Sequence, residues 1–483
     1  MPNKFIQRVK SPYGFDHDLV DAVDLKEIAQ RHETGLGLAE RLVMRHGDDL
    51  RYCHTWGKFL VWDSKRFRID ETAEVYRRAK DTVIAIYAEI MLLDKVDDRK
   101  ARSFFAMKSE ERTRLDSMVK LVQSEPGISV MTKDLDRDPM LLTVNNGTLN
   151  LKTGELLPHN RDDLITKLVD VDYDKNAQAP LWLAFLDQIM AGNKDLIMFL
   201  KRAVGYSLTG NISERVVFFL YGIGANGKTT FLETIRAVVG EYGLRTPTET
   251  LLVKRDGTIP NDVARLSGSR LVVAAEAEEG KRLAEALVKD ITGGDTISAR
   301  FLHEEFFEFQ PQCKIWLSSN HKPVVRGTDQ AIWDRIKLIP FMVTIPEERQ
   351  DKGLVEKLKT ELPGILAWAM EGCLEWQAGG LGVPKEVRAA TAEYRYEMDV
   401  LGGFLESCCK LDPSGLEMVK GLYDAYVTWC TLNDEKPITK RRFGNCLKER
   451  GFDPYRTRVE RGYRGIRLLP SSPAPNSDCE VVW

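Results

Sequence analysis

Lys228 and Thr229 close the run Gly222-Ile223-Gly224-Ala225-Asn226-Gly227-Lys228-Thr229, which satisfies G-x-x-x-x-G-K-[ST] in full. Glycines at this spacing allow the dihedrals by which successive backbone N–H groups converge, and convergent N–H groups bind phosphates. The positive end of a following helix adds to that pull. A lysine here reaches the β- and γ-phosphates, and the threonine hydroxyl ligates Mg²⁺. The expected nucleotide-binding set is therefore Gly222, Gly224, Ala225, Asn226, Gly227, Lys228, Thr229 and Thr230, with ATP and Mg²⁺ as cofactors. A glycine-rich turn with a chance lysine is the alternative. The flanks argue against it: apolar "VVFFLY" precedes the loop and amphipathic "FLETI" follows, as in a strand, a loop and a helix.

Hydrolysis of a nucleoside triphosphate also needs an acid at the metal and a group that orients the lytic water. "RLVVAAEAEEG" (270–280) offers Glu276 at the end of an apolar run, so Glu276 is the expected second metal ligand beside Thr229. Glu278 and Glu279 follow it; a solvated turn is the plainer reading of those two. A third run, "KIWLSSN", ends at Asn320, whose amide could orient water or touch the γ-phosphate; turn formation is the alternative role for such an Asn.

The elements that must position these groups form an alternation. Between 214 and about 342 the runs "RVVFFLYG", "RLVVAAE", "KIWLSSN" and "RIKLIPF" alternate with helical or turn segments, an α/β pattern. The expected organisation is a flexible arm over 1–35, a mainly helical domain over 36–208 and the ATPase core over 209–345. A helical lid or linker over 346–402, a DNA-binding domain over 403–470 and a disordered Pro/Ser-rich tail over 471–483 complete it. Within 36–208, "YCHTWGKFLVWDSKRFRID" (52–70) and "MLLTVNNGTLNLKTGELLPH" (140–159) read as hairpins, the second with turn signals at Asn146-Gly147 and Thr153-Gly154. Two charged helices are expected at roughly 72–93 and 98–123.

Bulk properties narrow the classes. Hydrophobic residues make up 43% and charged residues 29% of the 483, ordinary for a globular protein. A formal net charge of −3 means that nucleic-acid contact has to come from a local patch. The eight cysteines form no C-x-x-C pair and accompany no His cluster, so reduced thiols are expected instead of zinc or disulfides. The polar start "MPNKFIQRVKSPYGFDHD" is no secretory signal, and no apolar stretch approaches the ~18–20 residues of a membrane span. A cytoplasmic setting with no membrane partner follows as an expectation.

The block "LVKDITGGDTISARFLHEEFFEFQPQCKIWLSSNHKPVVRGTDQAIWDRIKLIPF", with the phosphate loop and the "VVAAE" strand, resembles superfamily 3 helicases. More narrowly it resembles the helicase part of phage and plasmid primase–helicase proteins, whose relatives include poxvirus-type helicases. "AERLVMRHGDDLRYCHTWGKFLVWD" and "LTVNNGTLNLKTGEL" are similar to that family's N-terminal region, and the likeness spans roughly 36–470. The resemblance implies an AAA+-like core in a hexameric ring, with ATP between subunits and 3′-to-5′ movement on single-stranded DNA in a bacterial cytoplasm. It implies that Arg335 in "AIWDRIKLIPF" acts on the neighbour's nucleotide, with Arg326 as a second candidate. The alternative for Arg335 is a salt bridge to Asp329 or Asp334. "SARFLHEEFFEF" (298–309) would be a channel hairpin contacting DNA through Arg300 and His303. Lys281, Arg282 and Lys289 could help line the channel, or form a solvated helix face.

Larger family members carry a primase-polymerase domain upstream. This chain has no room for one, so a separate primase or polymerase is an expected partner. Asp134/Asp136/Asp138 and Asp170/Asp172/Asp174 are spaced as paired metal-binding carboxylates, but no catalytic His accompanies them.

From Lys436 to Arg467 there are eleven Lys/Arg against three Asp/Glu, a local excess of +8. "GLEMVKGLYDAYVTWCTLND" (415–434) reads as an amphipathic helix. "ITKRRFGNCLKERGF" reads as a second helix capped by Thr439, and "YRTRVERGYRGIRLL" as two strands. That is winged-helix order. Lys440, Arg441, Arg442 and Lys448 would lie on or near the second helix, and Arg456, Arg458, Arg461 and Arg464 on the wing, ready for phosphates. A protein-docking domain with incidental charge is the alternative.

Three functions compete. The first is a DNA helicase of a phage, prophage or plasmid that works on single-stranded and forked DNA. The second is an initiator or loader that uses ATP only to assemble on DNA, without processive unwinding. The third, a small-molecule kinase, would need neither the basic domain nor the hairpin.

Overall fold

The computed structural model describes residues 25–253, 261–275, 280–300, 306–325, 330–433, 435, 437–456 and 461–470. The chain divides into two compact units. One runs to Ala177 and includes Gly240–Tyr242; the other comprises Gln178–Val239 and the chain from Gly243.

The first unit contains α1 (Leu25–Ala29), α2 (Gly35–His46), β1 (Leu50–Cys53), β2 (Lys58–Trp62), β3 (Phe67–Ile69), α3 (Glu74–Glu89), α4 (Val96–Ser109) and α5 (Arg112–Val122). Then come β4 (Ser129–Val130), β5 (Leu141–Val144), β6 (Gly147–Asn150) and β7 (Glu155–Leu157). Thr34 caps α2 by accepting a hydrogen bond from the Gly37 amide. Leu38, Ala39 and Leu42, at helical spacing, then bury against Val83, Ile86, Met118 and Val122. The expected arm is helical from Leu25, where buried Ile28 anchors it.

The expected helix at 98–123 is two. The break at Glu110 and Glu111 lets Phe105 of α4 and Leu115 and Met118 of α5 face one apolar cluster. The expected hairpin at 52–70 is three strands, joined by β4 in the order β3-β2-β1-β4. The second hairpin is the meander β5-β6-β7. Its first turn is Asn145-Asn146, one residue ahead of the expected Asn146-Gly147. Gly147 begins β6, where a Cβ would lie 2.5 Å from the Leu157 carbonyl.

The second unit opens with α6 (Pro180–Ile189) and α7 (Lys194–Leu208). The expected boundary at 208/209 therefore falls inside this unit, for a packing reason. Trp182 of α6 stacks on Phe231 at 5.6 Å, and Ser207 of α7 accepts a hydrogen bond from the Trp316 indole at 3.0 Å. α7 lies on the sheet that follows, while α6 packs on α7 and on Phe231 in the helix after that sheet's first strand.

That sheet is built from β8 (Val217–Tyr221), α8 (Lys228–Val239), β9 (Gly243–Pro247), α9 (Asn261–Ala264), β10 (Leu271–Ala275), α10 (Glu285–Gly293), β11 (Ile297–Ala299), β12 (Phe307–Phe309), β13 (Lys314–Ser319), α11 (Gln330–Arg335) and β14 (Ile336–Pro340). Five strands run parallel in the order β14-β8-β13-β10-β9, and β11-β12 is a separate antiparallel pair. Covered on both faces, the central strand is buried along its whole length: all six residues of β13 are buried, polar Lys314, Ser318 and Ser319 among them.

Helices α12 (Leu354–Lys359), α13 (Leu362–Gly379) and α14 (Lys385–Glu397) follow. α13 crosses α7 at glycine contacts: a Cβ on Gly205 would come within 2.1 Å of the Cys373 amide nitrogen.

The terminal subdomain has α15 (Val400–Cys408), β15 (Cys409–Met418), α16 (Val419–Leu432), α17 (Lys440–Glu449), β16 (Pro454–Arg456) and β17 (Arg461–Leu468), in sheet order β15-β17-β16. Phe404, Leu422, Tyr426, Phe443, Leu447 and Ile466 form its core. The expected helix at 415–434 starts only at Val419, because the stretch before it pairs with β17.

Candidate nucleotide site and nucleic-acid interface

The phosphate-loop sequence lies where β8 ends and α8 begins, as its flanks imply. Gly224 and Gly227 have φ of +130° and +82°, and Ala225 has +47°, so the loop uses backbone conformations that favour glycine. Gly222 is required for space: a Cβ there would lie 2.3 Å from the Phe341 carbonyl oxygen. The segment after β14 braces the loop. The Asn226 amide donates to the Phe341 oxygen at 3.2 Å, and the Ile345 N–H donates to the Ala225 oxygen at 2.7 Å. These braces involve backbone groups, which no side-chain motif could announce.

Lys228 is 5% exposed. Its ammonium donates to the Gly222 carbonyl at 2.6 Å, to Asn226 Oδ1 at 3.0 Å and to Asn320 Oδ1 at 3.0 Å. All three acceptors are neutral, and among the described residues no carboxylate pairs with it. Burial lowers the pKa of this ammonium below the ordinary lysine value. A buried cation balanced only by dipoles is poised for an anion. Thr229 and Thr230 follow on the first turn of α8, Thr229 exposed.

Parallel pairing aligns the carboxyl ends of the strands. Ser319 of β13 is level with Tyr221 of β8, and Ala275 of β10 is level with Ser318. Asn320 therefore stands beside the loop. Glu276 follows Ala275 directly in the chain, but it lies outside the described residues, as do Glu278 and Glu279.

Arg335 is elsewhere. It precedes Ile336, which is level with Val217 at the opposite end of β8. At about 3.3 Å per residue, the five residues of β8 put Arg335 roughly 16 Å from its own phosphate loop. Its guanidinium donates to Thr292 Oγ1 at 3.0 Å and to the Ala331 carbonyl at 2.7 Å. The expected alternative, a bridge to Asp334, is not formed; Asp329 and Arg326 lie outside the described residues.

The hairpin expected at 298–309 has both its strands, with Ala299 opposite Phe307. Arg300 is exposed and lies 4.9 Å over the Phe306 ring. His303, between the two strands in sequence, is outside the described residues. The two aspartate arrays serve local structure. Asp136 accepts from Thr166, Asp138 from the Met140 amide and Asp170 from Asn145. Among the described residues no group of His, Cys, Asp or Glu is arranged to hold a metal.

In the terminal subdomain Lys440, Arg441, Arg442, Lys448, Arg456, Arg461 and Arg464 are all exposed. Arg458 lies outside the described residues. Lys440 is 5.7 Å from the Tyr423 ring and Arg464 is 5.0 Å from the Tyr455 ring, contacts that hold the cations without neutralising them.

Sequence reasoning missed a pair of buried cations at the other end of the sheet. Lys314 and Arg270 both reach carbonyls at the end of α7. Burial holds the Lys314 ammonium well below the ordinary lysine pKa. A charged residue opening an otherwise apolar strand was the available signal.

Family models match three stretches: "D5 N terminal like" over residues 39–191, a family of unknown function (DUF5906) over 220–335, and "Poxvirus D5 protein-like" over 396–461. Two of these models are named for D5, and each match covers less than half of the chain. The chain is 27% identical over 297 residues to L207/L206 of Acanthamoeba polyphaga mimivirus, covering 56% of this chain and 31% of that protein. It is 27% identical over 287 residues to 022R of Frog virus 3 (isolate Goorha), covering 55% and 29%. Both are provisionally named helicases. C962R of African swine fever virus, provisionally named a primase, is 24% identical over 212 residues, covering 42% of this chain and 22% of its own. The chain thus spans about a third or less of the length of these relatives. Among solved structures, the apo C-terminal region of NrS-1 aligns over 90% of this chain and 100% of its own, with a TM-score of 0.47 and 11% identity. No described helix is long and apolar enough to cross a membrane.

Proposed function

We propose that the protein is an ATP-dependent DNA helicase of superfamily 3 that serves replication of a viral, phage or plasmid genome. The observation that carries the reading is the buried Lys228 ammonium. It is held by three neutral oxygens, one of them from Asn320 on the next strand, at the carboxyl end of a parallel sheet. Ligands bind at that end in open α/β sheets. The sheet order β14-β8-β13-β10-β9, numbered within the core as 5-1-4-3-2, supports an AAA+-like core. The element order α15-β15-α16-α17-β16-β17 supports a winged helix.

ATP would sit on residues 222–230, with Lys228 against its β- and γ-phosphates and Mg²⁺ held by Thr229 and Glu276. The metal ion would neutralise charge on the phosphates. The loop suits this: Gly224 has open space where a Cβ would be, and the Lys228 charge is unpaired among the described residues. Asn320 would orient the attacking water. Arg335, too far from its own loop, would act on a neighbour's nucleotide across a head-to-tail contact; a hexameric ring of such contacts is the form we propose. Arg300 and His303 would contact a single strand in the channel, and the terminal cations would contact DNA outside it. The resemblance adds 3′-to-5′ movement.

Steady-state ATP hydrolysis with and without single-stranded DNA tests this function. We expect stimulation by DNA. Hydrolysis that ignores DNA would favour the ATP-assembled scaffold.

A further inference from the structure

We infer that α17 reads base edges in the major groove of duplex DNA through Asn445 and Arg441; this rests on reading the terminal subdomain as a nucleic-acid contact. Phe443, Cys446 and Leu447 are buried and define the inward side of α17. At 100° per residue, Arg441, Asn445 and Lys448 lie on the opposite side, and all three are exposed. Lys440 and Arg442 flank that stripe.

Two features make helix and hairpin one polyanion-binding surface, and the width of the helix then selects a duplex. First, Arg456 and Arg461 face each other across β16 and β17, both exposed. Like charges directly opposite on a sheet destabilise it, and a polyanion removes that cost. Second, the Tyr463 hydroxyl donates to the Gly444 carbonyl at 2.7 Å, which ties the β17 strand to α17. Helix and hairpin therefore present their cations as one body. Among the described residues no ion pair engages Lys440, Arg441, Lys448, Arg456, Arg461 or Arg464. A helix about 10–12 Å across fits the ~12 Å major groove of B-form DNA, and the narrow groove of A-form RNA excludes it.

Asn445 is the informative residue. It is an uncharged amide in the middle of a cationic stripe, and its side chain makes no hydrogen bond among the described residues. It adds nothing to long-range phosphate attraction. Its paired donor and acceptor match adenine N7 and N6, and the Arg441 fork matches guanine O6 and N7. Four residues of helix separate them by about 6 Å, roughly two base-pair steps. The ligand class is B-form duplex carrying a guanine and an adenine within that distance, read while the flanking cations hold phosphates.

The experiment is selection of random duplexes by the full chain without nucleotide. Titrations of the selected and scrambled duplexes at several salt concentrations follow. We expect enrichment of a G/A-containing step and a preference of about 5- to 150-fold per contact. Asn445→Ala should lose that preference with the salt slope unchanged. Arg456→Ala should lower the slope by about one and keep the preference. Duplex binding with no enrichment, or a preference that survives Asn445→Ala, overturns the base-reading inference and leaves the phosphate-binding subdomain standing. If Lys448→Ala, Arg456→Ala and Arg461→Ala combined leave duplex affinity and salt slope unchanged, both the inference and the reading beneath it fail. Tighter binding to double-stranded RNA also overturns the inference.

Discussion

Replacing Arg335 by alanine should abolish turnover in a way that a second inactive variant can repair. Parallel pairing of β14 with β8 sets Ile336 level with Val217, while the phosphate loop begins after Tyr221. The arginine is thus a full strand length, about 16 Å, from its own Lys228 end. A guanidinium cannot cover that span within one protomer, so any action on phosphate is on a neighbour. Supplied in trans, such an arginine contributes about 10³- to 10⁵-fold to hydrolysis. The structural cost of removing it is small: the two hydrogen bonds to Thr292 and Ala331 contribute about 1 kcal/mol each. Arg335→Ala should therefore fold, bind ATP and fail to turn it over. Lys228→Ala should fail for the opposite reason, with its arginine intact. In a ring of head-to-tail contacts assembled at random from equal parts of both, about one quarter of the seams join an intact lysine to an intact arginine. ATPase assays of the mixture should recover about that fraction of wild-type activity. No recovery in a confirmed mixed ring would refute the reasoning, as would Arg335→Ala with turnover within about twofold of wild type.

Other consequences follow from the same geometry. Gly222→Ala places a Cβ 2.3 Å from the Phe341 carbonyl and 2.2 Å from the Asn226 amide. It should erase the ATP-dependent rise in melting temperature, a stabilisation of about 2.7 kcal/mol at a hundredfold excess over Kd. Asn320→Ala removes one of the three acceptors of Lys228; calorimetry should find ATP still bound, while kcat falls about 10²-fold. The folded-state pKa of Lys314 is depressed by burial, so the unfolded chain binds the extra proton. Stability should therefore rise with pH between that depressed pKa and the ordinary lysine value, and thermal melts of Lys314→Met should lose this increment relative to wild type.

Much of the candidate site was legible because its chemistry constrains residue type. Convergent backbone amides need glycine at 224 and 227, and buried strands need long apolar runs, so the strand, loop and helix around Lys228 and the strand that ends at Asn320 could be read directly, whereas Glu276 lies outside the described residues. β9 escaped because "GLRTP" at the sheet edge has a single buried residue, Thr246, and so no apolar run. β15 escaped because Asp412-Pro413-Ser414-Gly415 interrupts it as a bulge within the strand. The place of α6 and α7 escaped for another reason. Pro180 marks a helix start, but an apolar face does not say which sheet it will cover. The separation of Arg335 from Lys228 is likewise a matter of strand register, which residue types leave open.

Strand separation on a forked DNA duplex, with the wild-type chain and Lys228→Ala measured side by side, tests the central claim most directly. The account predicts that the wild-type chain separates the strands only with ATP and Mg²⁺, and that the variant does not separate them under any of these conditions. Separation without ATP, or undiminished separation by the variant, would contradict it.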